Sequence, residues 1–160
     1  TVGVGGDPYF GPGIENAMSK EFYELDETII KNPEDVDYKR MIEATKEVIK
    51  DISDLGKVLV ISRGASAILK DKENVLRVFF SANEDERVSR AKKMHNLESD
   101  AAAVDLLRHA DHAQDEYFMK AFNLDFSDQS MYHLTLNTSN LTPEECSNII
   151  LNLSKNKLTY

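Results

Sequence analysis

An arginine follows directly on a strongly apolar segment of the chain. Residues 58–61 read Val-Leu-Val-Ile without alternation, and Ser62, Arg63 and Gly64 come next. An unbroken apolar run of this kind is typical of a parallel strand that is buried on both faces. Side chains just past the carboxyl end of such a strand face the crevice where α/β folds collect ligands, so Arg63 is in the right place to hold an anion. The alternative is that Arg63 pairs with a carboxylate at the sheet edge.

The elements that must position this arginine are strands and helices that alternate along the sequence. An amphipathic helix is predicted over residues 38–55, and Gly56 ends it. Apolar runs predict three strands, at residues 58–61, 75–80 and 131–137. This order predicts an α/β fold whose mostly parallel sheet is covered by helices on both faces.

Two sequence patterns mark the starts of further helices. Ser81 with Glu84 and Thr142 with Glu145 have the spacing of capping boxes, and Pro143 stands at the first helical position, where proline is tolerated. The first box predicts a helix that continues to about His95, and the second predicts the last helix. A long helical region is predicted between them, over residues 99–122.

Length and composition set limits on the class of protein. A chain of 160 residues suits one domain, covering residues 1–160. The net charge of −9 repels nucleic-acid phosphates, so a general nucleic-acid binder is not expected. The sequence has no apolar run long enough to cross a membrane and no signal-like segment at its start, which predicts a cytoplasmic protein. Cys146, the single cysteine, is expected to be a small buried residue.

Two long segments resemble a known family of enzymes. They read LVISRGASAILKDKENVLRVFFSANEDERVSRAKK and DHAQDEYFMKAFNLDFSDQSMYHLTLNTSNLTPEE. In order and spacing they are similar to the cytidylate kinase-like family of P-loop nucleoside monophosphate kinases, over about residues 41–153. The resemblance implies a three-layer α/β/α P-loop fold with a helical lid at about residues 90–122. It also implies that ATP, with Mg²⁺, donates a phosphoryl group to a pyrimidine (cytidine) monophosphate.

The resemblance also implies roles for individual residues. Arg63 corresponds to the arginine that grips the acceptor phosphate; Gly64 follows it, and Ser62 replaces the usual glycine. Positive charge on the lid side, which suits phosphoryl transfer, would come from three arginines, Arg87, Arg90 and Arg108.

The candidate for the donor-phosphate loop lies in a glycine-rich segment near the start of the chain. The resemblance points to Phe10, Gly11, Pro12 and Gly13. A Walker loop carries a lysine that reaches the terminal phosphates, and this segment has none. Pro12 also lacks an amide hydrogen that could be donated to phosphate. The alternative is a flexible or unusual glycine-rich backbone that binds no ligand.

The lid departs from the family pattern. Gln114, Asp115 and Glu116 precede Tyr117, where the family carries Arg-x-Arg, so two positive charges are lost and two negative ones are gained. This favours a second hypothesis, a degenerate relative that serves as a nucleotide sensor or a protein-binding scaffold. A homodimer assembled through exposed helices is a third.

Other polar and aromatic residues of the long helix have more than one interpretation. His109 and His112, with neighbouring aspartates, have helical spacing that permits a metal site, although solvated surface residues are the simpler interpretation. His109 is also close to where relatives place a lid arginine. Asp111 either positions a lid arginine or caps a turn. Tyr117, Phe118 and Phe122 have the spacing of packing residues, with base stacking as the alternative.

Overall fold

Strands and helices alternate in the residues that the computed structural model describes, which are 2–6, 36–61 and 64–157. The strands within these ranges are β1 (Val2–Gly6), β2 (Leu59–Ile61), β3 (Leu76–Ser81) and β4 (Leu134–Asn137). The helices are α1 (Val36–Asp54), α2 (Ala65–Ile68), α3 (Glu84–His95), α4 (Asp100–Phe122) and α5 (Pro143–Lys157), with a 3₁₀ helix at Gln129–Met131. The predicted α/β class is confirmed.

The four described strands form one parallel sheet in the order β2-β1-β3-β4. In register, Val4 of β1 is level with Ile61 of β2 and with Val78 of β3. The chain passes from β1 to β2 on one side and then crosses β1 to reach β3 on the other. The carboxyl ends of β1 and β3 therefore flank the point at which the strand order reverses, which is where open α/β sheets bind ligands.

Helices contact both faces of this sheet. The prediction that the strand before Arg63 is buried on both faces is wrong, however, because β2 is an outer strand of the described sheet and its Leu59 and Ile61 are 61% and 41% exposed. On one face Leu76, Val78 and Phe80 pack with Leu136 of β4 and with Cys146 of α5. On the other face Val60 of β2 packs with four buried residues. These are Ile49 of α1, Ala65 of α2, and Leu69 and Val75 of the segment between α2 and β3. Cys146 is 1% exposed, so its predicted place in the core is confirmed.

Local sequence signals define the starts of two helices as predicted. The hydroxyl of Ser99 accepts from the amide of Ala102 at the start of α4. At α5 the amide of Thr142 donates to Oε2 of Glu145 over 2.8 Å, and the amide of Glu145 donates to Oγ1 of Thr142 over 3.2 Å. The predicted capping box at Thr142 is confirmed, because both orphan donors find a side-chain acceptor.

The predicted capping box at Ser81 is wrong. Ser81 is the last residue of β3, where it pairs with Asn137, and its carbonyl accepts from the amide of Thr138 over 2.7 Å. The residue that precedes the first turn of α3 is Asn83, with extended backbone. The sheet pairing holds Ser81 in the strand, so the helix begins two residues later than the pattern predicts.

Two predictions about the strands also need correction. The glycine-rich start of the chain includes a strand, β1, which takes a central position in the sheet in spite of glycine's low strand preference. The predicted strand over residues 131–137 is shorter, because Met131 lies in the 3₁₀ helix. There Asp128 accepts from the amide of Ser130, and this turn delays β4 until Leu134.

Helix α1 is amphipathic, but its buried face is narrower than the sequence predicts. Ile42 and Ile49, two helical turns apart, are buried, whereas Val48 and Leu55 are 54% and 79% exposed. Charged residues cover most of the remaining surface of α1. Among the described residues, the helices are too short or too polar to traverse a lipid bilayer.

Candidate functional site

The carboxyl edge of the sheet carries polar residues that fix the start of α3. Nδ2 of Asn137, at the end of β4, donates to Oδ1 of Asn83 over 3.0 Å. The amide of Asn83 donates to Oγ of Ser139 over 2.7 Å. These bonds fasten the turn between β3 and α3 to the loop that follows β4. The crevice beside β1 and β3 therefore has an ordered polar rim on its β3 side.

Arg90 anchors α3 to the same edge of the sheet. Its Nη1 donates to Oγ1 of Thr138 over 2.8 Å and its Nη2 donates to the carbonyl of Thr138 over 2.9 Å. Its Nε donates to Oε1 of Glu86, one helical turn earlier, over 3.2 Å. Thr138 is fully buried, and its hydroxyl donates to the carbonyl of Ser81. The guanidinium thus donates to three acceptor atoms on two residues within the fold, and its contact with phosphate stays a prediction.

Arg87 lies one turn before Arg90 on α3 and forms a bidentate pair with Asp111 of α4. The Nη1 to Oδ2 distance is 2.9 Å and the Nη2 to Oδ1 distance is 2.6 Å. Two parallel bonds fix the angle as well as the distance between a guanidinium and a carboxylate. Asp111 lies within α4 and does not cap a turn, so the structure agrees with the hypothesis that it positions an arginine of this region.

The third predicted lid arginine lies on α4, whereas the other two lie on α3. Arg108 is exposed on α4 and shares no ion pair with any residue in the described ranges.

An ion pair joins α3 to the start of α4: Lys92 pairs with Asp100 over 2.6 Å. An open groove of about 540 Å³ runs along the surface of these two helices; it is lined by Glu84, Asp85, Val88, Ser89, Lys92, Lys93, Asp100 and Val104.

The acidic replacement in the lid creates a locally negative region. Burial raises the pKa of the Asp115 carboxyl, and repulsion from the carboxylates of Asp125 and Asp111 raises it further. Glu116 pairs with Lys120, one turn later, over 3.3 Å. The crowded carboxylates around Asp115 disfavour the approach of phosphate to this stretch of α4, whereas Lys120 offsets part of the charge of Glu116.

Around the two histidines of α4, the described residues form no metal-binding arrangement. Nδ1 of His109 is 2.7 Å from the carbonyl of Asp105 in the preceding turn of the same helix. In the portion of the chain that the structure covers, no three His, Cys, Asp or Glu side chains come together as a metal site would require. His109 is exposed, so a role beside the lid arginines stays a prediction.

Several predicted site residues lie outside the described residues. These are Ser62 and Arg63 of the acceptor turn and Gly11, Pro12 and Gly13 of the donor loop. Gly64 is described: its backbone is left-handed, with φ 69° and ψ 16°, and it precedes α2. The ring of Phe122, the last residue of α4, lies against Gly64.

Two residues that bind the side chain of Arg90 were not predicted from the sequence. Thr138 and Glu86 hold Arg90, and neither was a candidate for a site role. Thr138 belongs to the Asn-Thr-Ser segment on which the family resemblance partly rests, so a signal was present. A contact between residues 48 positions apart in the chain cannot be assigned from one sequence without the sheet register.

Comparison with protein families supports the similarity that the sequence suggests. The model of the cytidylate kinase-like family matches residues 11–140. A cytidylate kinase of Sulfurisphaera tokodaii is 27% identical over 105 residues, which are 66% of this chain and 57% of that protein. A cytidylate kinase of Sulfolobus acidocaldarius is 28% identical over 82 residues, which are 51% of this chain and 44% of that protein. The chain thus spans about half the length of these curated relatives.

A solved structure shares the fold over nearly the whole chain. It is that of an uncharacterized protein from Eubacterium ventriosum, with a TM-score of 0.73 over 97% of both chains. The two sequences are 15% identical, so this likeness concerns the fold alone.

Proposed function

The chain belongs to the cytidylate kinase-like family, and from that premise we propose that it transfers a phosphoryl group from ATP to a pyrimidine nucleoside monophosphate, CMP. The observation that carries the proposal is the family match over residues 11–140. That range includes the acceptor turn, the lid arginines and the candidate donor loop. Phosphoryl transfer needs mainly positioning and neutralisation of charge, which arginines and backbone amides supply.

The proposed acceptor site lies at the carboxyl end of β2. Arg63 binds the acceptor phosphate, and Ser62 and Gly64 shape the turn around it. Support comes from the topology: Ser62 follows Ile61, the last residue of β2, and β2 lies next to β1 in a parallel sheet. Residues that follow these two strands emerge at one edge of the sheet, beside the crevice.

The proposed donor site lies after β1. Gly11, Pro12 and Gly13 follow this strand by a few residues and would contact the donor phosphates. Mg²⁺ would be held mainly by phosphate oxygens and water, with one or two protein oxygens at most, as is usual for this ion. A dedicated cage of carboxylates is not needed for such a site.

The lid arginines form the third part of the proposal. Arg87, Arg90 and Arg108 supply positive charge from α3 and α4, within a lid at about residues 90–122. Support comes from the Arg87 pair with Asp111, which sets the angle of one guanidinium between the two helices. Because Arg90 has internal partners, its part in transfer would require an exchange of those partners for phosphate.

Together these parts would form one P-loop kinase domain over residues 1–160, with a three-layer α/β/α arrangement. Packing of α5 on one face of the sheet, and of α1 and α2 on the other, supports the layers. A cytoplasmic location and a homodimer stay predictions.

Two observations favour a second candidate function. The negative stretch at Asp115 and Glu116 and the internal bonds of Arg90 both favour a protein that binds nucleotide without turnover. In this alternative the fold serves as a nucleotide sensor or as a protein-interaction scaffold.

Calorimetry on the intact protein separates the candidates. ATP·Mg²⁺ and CMP are titrated separately and together, and ADP release is measured in the same samples. Binding with ADP release supports the kinase, binding without release supports the sensor, and no binding supports the scaffold. Arg63→Ala should weaken CMP binding and leave ATP binding near the wild-type value; if CMP binds this variant as tightly as wild type, the role of Arg63 is wrong.

A further inference from the structure

Exposed apolar side chains concentrate at the end of α1 and on the outer strand β2. Eight large apolar residues of the described ranges are exposed, and five of them lie within residues 48–61. These five are Val48 and Ile52 of α1, Leu55 just after it, and Leu59 and Ile61 of β2. Single apolar residues scattered over a surface are ordinary, whereas a concentration of them marks an interaction surface.

On α1 the exposed apolar residues form a second stripe, apart from the buried face that packs on α2 and α4. Nζ of Lys46 lies 5.9 Å from the ring centroid of Phe122, so this flank of α1 faces α4. Val48 comes two residues after Lys46, about 200° further around the helix. The second stripe therefore faces away from α4.

The spacing of this stripe is symmetric about Val48. Its members are separated by three, four, four and three residues; they are Met41, Ala44, Val48, Ile52 and Leu55. If two copies of α1 lie antiparallel about a twofold axis at Val48, Met41 is level with Leu55 of the other copy, and Ala44 is level with Ile52. A twofold interface uses the same surface of both copies, so it requires a surface that complements itself.

The charges of α1 favour the same antiparallel arrangement. Lys39 and Arg40 are exposed near its start, and Asp51 and Asp54 are exposed near its end. Antiparallel helices bring the basic start of one copy to the acidic end of the other, whereas parallel helices would bring like charges together. Asp54 already pairs with Lys72 of its own chain, so Asp51 is the carboxylate that we assign to Arg40 of the other copy.

We propose that a second copy of this chain docks on the stripe of α1, antiparallel to it, with the twofold axis at Val48 and with Arg40 of each copy facing Asp51 of the other. This inference is independent of the proposed function. An interface built on one stripe per helix is at the small end of specific interfaces, and the exposed Glu47 carboxylates near the axis repel each other. The dimer is therefore expected to be weak, with a Kd in the micromolar range.

Sedimentation velocity of the full chain, across the micromolar range, measures the association. Val48→Glu places two like charges on the axis and should leave the protein monomeric at every concentration tested. Met119→Glu is the matched control, because Met119 lies on α4 and is 52% exposed, against 54% for Val48. This control should associate as wild type does. Circular dichroism and urea denaturation show whether each variant is folded.

A charge exchange tests the orientation of the two helices. Arg40→Glu and Asp51→Arg should each raise the Kd of the dimer on the order of tenfold, because each places like charges together. The variant that carries both changes restores opposite charges across the axis and should recover most of the affinity. Failure of the double variant to recover would contradict the antiparallel arrangement.

A wild type that stays monomeric at every concentration would overturn the proposal. So would equal weakening by Val48→Glu and Met119→Glu, or a dimer that neither variant affects, since that dimer would form through another surface. If wild type is monomeric and Val48→Glu lowers the urea midpoint far more than Met119→Glu does, the stripe is covered by another part of the same chain, and a second copy is not its occupant.

Discussion

Arg90 illustrates how one side chain can serve the fold at the position where a site is proposed. Its guanidinium bonds to the hydroxyl and the carbonyl of Thr138, which is fully buried, and to Glu86. Removing it leaves the carbonyl of Thr138 and the carboxylate of Glu86 without this donor. Polar groups that lose a buried partner typically cost about 1–3 kcal/mol of stability.

Replacement of Arg90 by alanine should therefore lower the free energy of unfolding by about 1–3 kcal/mol. Arg108→Ala, an exposed arginine without an ion pair in the described chain, is the control and should change it by less than about 0.5 kcal/mol. Urea denaturation followed by circular dichroism measures both. If the two variants prove equally stable, Arg90 does not anchor α3 to β4.

Asp115 gives a prediction that depends on pH. Burial, followed by repulsion from Asp125 and Asp111, raises the pKa of its carboxyl. An acid whose pKa rises on folding holds its proton more tightly in the folded state, so its contribution stabilises at low pH and is lost as pH rises through the raised pKa. At neutral pH the ionised side chain is thus unfavourable to folding.

Asp115→Asn should accordingly raise the urea midpoint at pH 7, because the amide cannot ionise. The gain should shrink as the pH falls through the raised pKa of this carboxyl, where the aspartate of wild type takes up its proton in the folded state. Asp105→Asn, an exposed position on the same helix, is the control. A midpoint for Asp115→Asn below that of wild type at pH 7 would contradict the electrostatic account of this region.

At the residue scale the sequence predicts contacts that depend on neighbours in the chain and misses those that depend on the sheet. The buried state of Cys146 follows from the general tendency of free cysteine to pack as a small apolar residue. The bonds from Arg90 to Thr138 and the contact of Phe122 with Gly64 join residues 48 and 58 positions apart. Such contacts depend on strand register and on the path of α4, which propensity and periodicity do not specify.

The starts of two helices show the same difference between signals from neighbours in the chain and contacts between residues that are distant in sequence. The box at Thr142 acts through side chains three residues apart, and the structure has it as predicted. The box at Ser81 has the same spacing, yet pairing with Asn137 keeps Ser81 in β3. Tertiary pairing thus decides which of two equal local signals becomes a helix start.

The cap of α5 can be tested directly. Thr142→Ala removes the hydroxyl that accepts from the amide of Glu145 and should lower the free energy of unfolding by about 1 kcal/mol. Thr142→Ser keeps a hydroxyl at the same place and should retain most of that stability. Thermal denaturation of the three proteins at one pH provides the comparison, and equal loss in the serine and alanine variants would contradict the assigned cap.

At the scale of the whole molecule, the alternation of strands and helices predicts the α/β class, and a parallel sheet is observed. The strand order β2-β1-β3-β4 is not readable from the sequence, because the central strand β1 is rich in glycine and lacks an apolar run. That order matters for function, since it locates the reversal between β1 and β3 and so the crevice. The family match over residues 11–140 shows that this architecture is that of a cytidylate kinase-like protein.

The net charge of −9 sets the background in which an anionic substrate must bind. Positive charge near the crevice has to come from a few arginines, because acidic residues outnumber basic ones over the chain as a whole. The acidic stretch at Asp115 and Glu116 opposes the same substrate. Whether phosphoryl transfer survives this substitution is the question that separates the kinase from the sensor.

Formation of CDP tests the central claim most directly. Intact protein is incubated with CMP, ATP and Mg²⁺, and the nucleotides are separated by chromatography, with Arg63→Ala in parallel. The account predicts that CDP and ADP accumulate in equal amounts with wild type, and that the variant forms CDP far more slowly at low CMP concentration. Saturating binding of both nucleotides without any CDP would contradict it and would leave the nucleotide sensor as the function of this fold.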